Sequence, residues 1–462
     1  MRPDFGGSHT IVSLKALKDS GRLPVLWLVR SLKLAYHIAS ECFKLDLSVL
    51  ISAGRDRACI VEKNVDRDFY CKYRRFQCPF FRNVFKTRIP KINIFMDYNM
   101  LVEGARSEGF CPYYMEDLVD ADITVQNYFR ARRKYFKAIA IDEVHNIFMP
   151  REICFPFDDL NTVHTIINLN LDKSVGRIFE RFLRAIRYSK TIVVEEYFDS
   201  IFLDELKGLM YQYVEDKRVS RILGRFLRLM QYNTVLNIER ERIIGYKPLL
   251  PIQTFPQTIM LTGTWFNTMD KFLPSSFEKI SVDFSNDKPE AMILEDLTTR
   301  YDDFDYKMIE EYRKFIVQMK LKARDKRILI FGSERVLQYF INLADLYEPT
   351  QIPKNWRGIM MLKARGRYAE GVDIPADIVV ILGCPFLPPE VISRLSKIYS
   401  RMGFEDSWSL AATIPMLITT LQCIGRARRD PKQRPKIILA DERYGKYVDE
   451  LSNYLYIGEI DV

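Results

Sequence analysis

Apolar residues along this chain gather into short runs, and between the runs they recur every three or four positions. Residues 24–29, 136–141, 258–261, 328–331, 358–362, 378–382 and 437–440 are such runs. Each is short enough for a strand and has too few polar positions to leave one face in water, the pattern of strands covered on both sides. A helical pattern from about Ile11 to Asp19 precedes the first of them. Short apolar strands alternating with longer helical stretches predict an α/β protein built on parallel sheets. Two segments break the rhythm. Residues 54–111 are rich in Arg, Lys, Cys and aromatics, and 150–250 follow a mostly helical pattern. Both read as insertions into a first α/β lobe that resumes at about residue 256.

Composition narrows the class without naming a function. The chain has 462 residues, enough for two or three domains, with 48% hydrophobic and 28% charged residues, as in an ordinary globular protein. No apolar stretch approaches the ~20 residues needed to cross a bilayer, and the N-terminus carries no signal-peptide pattern. The expectation is a cytoplasmic protein, nucleoid-associated if prokaryotic, with no membrane partner. A net charge of +9 permits a polyanionic partner without requiring one. Eight cysteines in an intracellular chain argue against disulfides and towards metal binding where they cluster.

Chemistry concentrates at the ends of the apolar runs. Asp142-Glu143-Val144-His145 closes the run ending at Ile141. Two adjacent carboxylates delivered by a strand end suit Mg²⁺ binding by Asp142 and activation of a water by Glu143 as general base. His145 would couple them to neighbouring polar groups, or is a structural histidine. Downstream, Gln422-Cys423-Ile424-Gly425-Arg426-Ala427-Arg428-Arg429 places Gln422, Arg426 and Arg429 at helical spacing, with the two arginines as candidate γ-phosphate fingers. Near the start, Gly6-Gly7-Ser8-His9-Thr10 has the glycines of a phosphate-cradling loop and a hydroxyl, Thr10, for Mg²⁺. His9 stands where such loops carry Lys, and a histidine of ordinary pKa, about 6.5, is mostly neutral at pH 7. Thr262-Gly263-Thr264 follows another strand, and Arg365 to Asp373 form a Gly-rich basic loop in which Glu370, Gly371 and Asp373 suit nucleotide or DNA-backbone contact.

Cys59, Cys71, Cys78 and Cys111 are spaced Cys-x11-Cys-x6-Cys-x32-Cys. Zinc sites favour close Cys pairs, which are missing, so four thiolates on spread loops suit a [4Fe–4S] cluster better. Unliganded loop cysteines are the alternative. Around them Arg55, Arg57, Lys72, Arg74, Arg75, Arg82, Lys86 and Arg88 interleave with Phe69, Tyr70, Tyr73, Phe76, Phe80 and Phe81. Cations for phosphates and flat rings for bases suit single-stranded nucleic acid, although part of that aromatic content must be a small core. In the helical segment, Arg177, Arg181, Arg184 and Arg187 form one stripe and Arg218, Arg221, Arg225 and Arg228 another; each faces either DNA or solvent.

Taken in order, these strings resemble the motifs of the XPD/DinG family of superfamily-two DNA helicases, over essentially the whole chain. Val25 to Ser31 resembles motif Ia; Gly54-Arg55 before Cys59, and Cys111-Pro112-Tyr113-Tyr114, resemble the edges of the iron–sulfur domain. Ala121 to Tyr128 resembles the approach to the DEAH box, here Asp142 to His145. Thr262-Gly263-Thr264, Phe331-Gly332-Ser333, Glu370-Gly371-Val372-Asp373 and Gln422 to Arg429 resemble motifs III to VI. The resemblance implies two RecA-like lobes, the first interrupted by an iron–sulfur domain and a helical Arch. Lobe one would comprise 1–53, 112–149 and 251–269, with the iron–sulfur domain at 54–111, the Arch-like insertion at 150–250 and lobe two at 270–462. It further implies ATP, Mg²⁺ and a [4Fe–4S] cluster, 5′→3′ movement on single-stranded or forked DNA in DNA repair or related processing, and protein partners through the Arch. Three departures stand out. His9 replaces the loop lysine, the middle cysteines are farther apart than in relatives, and the strand expected before the loop is missing, as in a truncated N-terminus. An ATPase-impaired, DNA-binding paralogue is therefore the alternative to an active helicase. A protein-interaction scaffold leaves the basic-aromatic insertion and the arginine motif unexplained.

Overall fold

A computed structural model describes residues 8–128, 134–232, 235–247, 257–273, 275–280, 288–322, 325–368, 373–427 and 434–459. Two compact units result, one of Leu14–Leu261 and the other centred on Thr262–Val462. All seven apolar runs are strands, within two residues of the expected bounds. The first helix spans Ser8–Asp19, so Ser8, His9 and Thr10 form its first turn and are not a loop.

In the first unit six strands lie side by side in the order Thr258–Met260, Ala138–Ile141, Val25–Val29, Ile123–Asn127, Val49–Ile51, Phe95–Asp97. Every pair is parallel, so all six carboxyl ends open on one edge. Trp27, Val25 and Val29 on the central strand are fully buried, packed with Leu14 and Leu17 of the first helix and with Ala35, Ile38 and Ala39 of helix Leu32–Phe43. Ser31 starts that helix by accepting the Leu34 N–H at 3.4 Å, which meets one of the free amides of the first turn.

Two insertions leave this sheet. The first is a set of short helices, Arg55–Ala58, Arg67–Arg74, Pro79–Asn83, Tyr98–Glu108 and Pro112–Met115, around a core that includes Val84, Leu101, Phe110 and Met115. The second holds the expected helices, Phe157–Asn170, Lys173–Tyr188, Ser200–Gln212 and Lys217–Tyr232. It also holds a four-stranded antiparallel sheet, in the order Arg151–Pro156, Arg242–Lys247, Val235–Glu239, Thr191–Val193, which helical periodicity did not anticipate. Phe155, Phe179, Phe182 and Phe226 fill the space between sheet and helices.

The two insertions are locked together by the second arginine stripe. Asp66 caps helix Arg67–Arg74 by accepting the Phe69 N–H at 3.2 Å, and its other oxygen lies 3.6 Å from Arg221. The Phe69 ring lies against the backbone at Gly224, where a Cβ would come within 1.9 Å of it, and the Arg228 guanidinium lies over that ring at 5.2 Å. Only glycine permits that approach. Arg225 pairs with Asp159 at 3.7 Å, and Arg74 stacks on and donates to Tyr211 at 2.6 Å. Three of the four arginines on the stripe therefore serve packing. Among the described residues no helix is long and apolar enough to cross a membrane.

The second unit is a seven-stranded parallel sheet in the order Leu346–Tyr347, Gly358–Lys363, Arg327–Gly332, Ile378–Leu382, Lys436–Ala440, Glu290–Ile293, Tyr456–Ile457. Asp441, fully buried at the end of one central strand, ties three segments together. It accepts the Thr299 N–H at 2.9 Å, the Thr299 hydroxyl at 2.8 Å, the Cys384 N–H at 3.3 Å and Arg443 at 2.7 Å. Burial pushes its carboxyl pKa up, but Arg443 and Thr299 outweigh burial and hold it below the usual Asp value. Asp441→Asn should cost about 3 kcal/mol in denaturant unfolding of the whole chain, because it leaves Arg443 without its buried counter-charge. In the unmutated chain the Asp441 contribution should be complete above the unfolded Asp pKa of about 3.9 and vanish as pH falls through the depressed folded value.

Candidate functional site

The acidic pair sits where the parallel sheet exposes strand ends. Strand Ala138–Ile141 is covered on both sides and paired with Val25–Val29 and Thr258–Met260, so its direction is fixed before the chain turns at Asp142. The turn is bound on each side: Asp142 N–H donates to Leu28 O at 2.9 Å and Val144 N–H to Leu261 O at 3.0 Å. Glu143 has φ of 49°, a left-handed conformation that costs a residue with a Cβ and that tends to occur at functional sites. It leaves both carboxylates partly exposed while His145 is buried. His145 Nδ1 lies 3.3 Å from Glu143 Oε2, so the ring sits directly behind the carboxylate.

Three residues not assigned from sequence complete this edge. The Tyr128 hydroxyl donates to the Asp142 carbonyl. Asn146 donates to the Glu143 carbonyl at 3.1 Å and accepts from Arg30 at 3.1 Å, and Arg30 lies just past the end of the central strand. Arg30 and Tyr128 lie within strings that drew notice for another reason and Asn146 directly follows one, but periodicity carries no information on which side chains meet across a sheet edge. Thr262 and Thr264 form a small turn in the second unit, the Thr264 N–H donating to the Thr262 hydroxyl at 3.1 Å and that hydroxyl to the Thr264 carbonyl at 2.9 Å.

The downstream motif differs from its expected shape. Helix Ile414–Gly425 carries Gln422, but it ends at Gly425 and the chain tightens into a turn. Arg426 and Ala427 N–H groups bond three residues back, to Cys423 and Ile424 at 3.2 Å each. Gln422 lies in the last turn of the helix, and Arg426 is its cap residue, with φ of −66° and ψ of −30°. The Arg426 carbonyl accepts the Ile374 N–H at 2.9 Å, which brings the exposed Asp373 beside this turn. Arg365 is fixed by donating to the carbonyls of Pro385 at 3.1 Å and Pro415 at 3.0 Å. Thr10 is buried. Gly6, Gly7, Glu370, Gly371 and Arg429 lie outside the described residues, as do the side chains of Ser8 and His9.

Cys59, Cys71, Cys78 and Cys111 line one cavity of about 320 Å³, its opening to solvent included, together with Tyr70, Arg75, Phe80, Phe81 and Tyr114. Cys78 and Cys111 each precede a proline that opens a short helix, Cys59 ends one and Cys71 lies within one, so four separate elements supply the thiols. Among the described residues no group of three or more His, Cys, Asp or Glu is arranged to hold a metal ion. A single ion needs every sulfur about 2.3 Å from one point, whereas four thiolates around an iron–sulfur cage stand farther apart. A donor set of four thiols is one that an iron–sulfur cage takes, as a single ion can. Burial pushes the Cys111 thiol up to about 12, with the other three cysteines adding to the effect, and burial also raises Cys59 and Cys71. Thiols in such surroundings ionise readily only against a bound cationic centre.

Comparison with known proteins places this geometry. Residues 305–456 match the helicase C-terminal domain family. The ATP-dependent DNA helicase XPD of Sulfolobus acidocaldarius is 22% identical over an alignment covering 95% of this chain and 91% of that protein. A solved XPD helicase structure superposes with a TM-score of 0.67 at 20% identity, covering 99% of this chain and 95% of that one. The structure of Xpd4 from S. tokodaii gives 0.59 at 18% identity, covering 98% and 94%. The chain is thus XPD-like in sequence and fold along nearly its whole length. Tyr128→Phe, which removes only the hydroxyl bonded to Asp142, should lower the unfolding free energy by about 1 kcal/mol with the far-ultraviolet spectrum unchanged.

Proposed function

We propose that the chain is an ATP-dependent DNA helicase or translocase acting on single-stranded or forked DNA, moving 5′→3′ in DNA repair or related processing. The observation that carries this reading is the strand-end pair Asp142-Glu143, with Glu143 in a left-handed turn and His145 buried at 3.3 Å behind it, on the carboxyl edge of a parallel sheet. Open parallel sheets bind their ligands at that edge. Asp142 would hold Mg²⁺ through water together with Thr10, and Glu143 would orient the attacking water and take its proton. His145 fixes the carboxylate. Gly6, Gly7, Ser8 and His9 are assigned to the phosphates, Gln422, Arg426 and Arg429 to the γ-phosphate, and Glu370, Gly371 and Asp373 to nucleotide or DNA-backbone contact. Mg²⁺, when bound, neutralises charge on the phosphates.

Cys59, Cys71, Cys78 and Cys111 would hold a [4Fe–4S] cluster, which supplies a covalent staple for four short helices too small to pack firmly alone. The proposed divisions are lobe one at 1–53, 112–149 and 251–269, the cluster domain at 54–111, the Arch-like insertion at 150–250 and lobe two at 270–462. Protein partners are assigned to the Arch-like insertion, and the compartment to the cytoplasm or nucleoid. A second reading, an ATPase-impaired DNA-binding paralogue, rests on His9 in place of the loop lysine.

Steady-state ATP hydrolysis with and without single-stranded DNA separates the two readings. The motor requires DNA-stimulated turnover that Glu143→Gln lowers by at least about 100-fold, the contribution usual for a positioned general base. Absence of turnover, with salt-sensitive DNA binding and no recovery in His9→Lys, would leave the paralogue. Anaerobically purified protein should contain iron and show broad visible charge-transfer absorbance, both lost in Cys111→Ser; colourless, iron-free wild-type protein would contradict the cluster.

A further inference from the structure

The cationic and aromatic residues of the cysteine-bearing insertion divide sharply by exposure. Phe69 is buried against Gly224, Tyr70 and Phe80 wall the cysteine cavity, and Tyr73 packs edge-on to Tyr211 at 6.3 Å. These rings are committed to packing. Two others are not. Phe76 is 69% exposed and Phe85, nine residues on, is 72% exposed, far more than large rings normally are. Both meet the same partner edge-on: Phe76 and Phe81 centroids are 5.7 Å apart at 80°, and Phe81 and Phe85 centroids 5.9 Å apart at 88°. Phe81 in turn packs on Tyr114 at 4.6 Å and walls the cysteine cavity. The exposed rings are thus fixed to a rigid base and are not side chains swinging in solvent.

Positive charge surrounds them. The Arg75 guanidinium lies over the Phe76 ring at 4.5 Å. Arg82, Lys86 and Arg88 are exposed on the same short segment, and none of the three is in an ion pair among the described residues. Buried apolar packing explains neither the exposure nor the uncompensated charge. Flat rings held on one shared partner, Phe81, with cations alongside, match what an unpaired nucleic-acid strand offers: bases to stack and phosphates to neutralise.

We propose that Phe76 and Phe85 form a base-stacking platform for single-stranded nucleic acid, with Arg82, Lys86 and Arg88 contacting its phosphates. This site rests on the proposed action on single-stranded DNA and specifies where one part of the strand is held. Binding there is indifferent to base identity, because every base presents a face, and needs no Watson–Crick edge.

The test compares binding of wild type and Phe76→Ala/Phe85→Ala, each purified with its iron, to a fluorescent oligothymidylate and to an abasic strand of equal length. Wild type should bind oligothymidylate more tightly than the double variant by roughly five- to 150-fold for each base that stacks. The two proteins should bind the abasic strand equally. Phe76→Trp should restore affinity, with its fluorescence quenched on addition of oligothymidylate. Both rings project from the packed core, so unchanged iron content is expected in the variant; quenching in Phe76→Trp tests the site independently if that content falls. Wild-type binding that the double variant matches, or a Phe76→Trp signal indifferent to oligothymidylate, overturns the platform alone. Wild type that binds neither strand overturns both the platform and the motor.

Discussion

Backbone pairing in one direction is the constraint on which the rest of this molecule depends. Strands buried on both faces must place every N–H and C=O in a ladder, and parallel ladders need a long crossover after each strand. In the first unit those crossovers carry the chain away and return it five times, so that all six strands end on the same edge. Residues far apart in sequence then become neighbours without any contact selected for that purpose. Arg30, Tyr128 and the pair Asp142-Glu143 meet because their strands end together. The second sheet repeats the arrangement, and Asp441 binds its strand ends through hydrogen bonds that a buried carboxylate must make to remain charged.

The insertions obey a different economy. Neither the short helices of the cysteine-bearing segment nor the mixed sheet and helices after it can be positioned by the parallel ladder. They hold one another through Phe69 at Gly224, Asp66 with Arg221, and Arg74 with Tyr211. The exposed ion pair among these contributes little by itself. The close approach at Gly224 is the specific element, because a side chain there would drive the ring out. Helix Arg67–Arg74, which carries both Phe69 and Cys71, connects the helical insertion to the wall of the cysteine cavity.

Much of the architecture was legible in the sequence, for reasons that also explain what was not. Among the described residues, seven of the thirteen strands of the two parallel sheets, most of them covered on each face, stand out as uninterrupted apolar runs. Val49–Ile51 and Phe95–Asp97 are three residues each and carry too little pattern to separate from their surroundings. The antiparallel strands Val235–Glu239 and Arg242–Lys247 mix charge with apolar positions beside long amphipathic helices, so a helical reading absorbed them. At the site, residue types named Asp142, Glu143 and the four cysteines, but not Tyr128 or Asn146, whose roles come from where neighbouring strands end. Helical spacing over-extended the helix at Gln422, because the turn at Arg426 depends on three-residue hydrogen bonds that no periodicity records. The stripe from Arg218 to Arg228, open between DNA and solvent on sequence grounds, turned out to serve mainly packing, since charge pattern alone cannot tell a partner from a neighbouring segment.

The central claim is that this edge of carboxylates drives movement along DNA, and strand displacement measures it most directly. Iron-replete protein is incubated with a forked duplex bearing a 5′ single-stranded tail, and release of the labelled strand is followed with and without Mg-ATP. The expected result is release that requires ATP and disappears when the tail is moved to the 3′ end. Protein that binds the fork and retains its iron, yet releases no strand in the presence of ATP, would contradict the account.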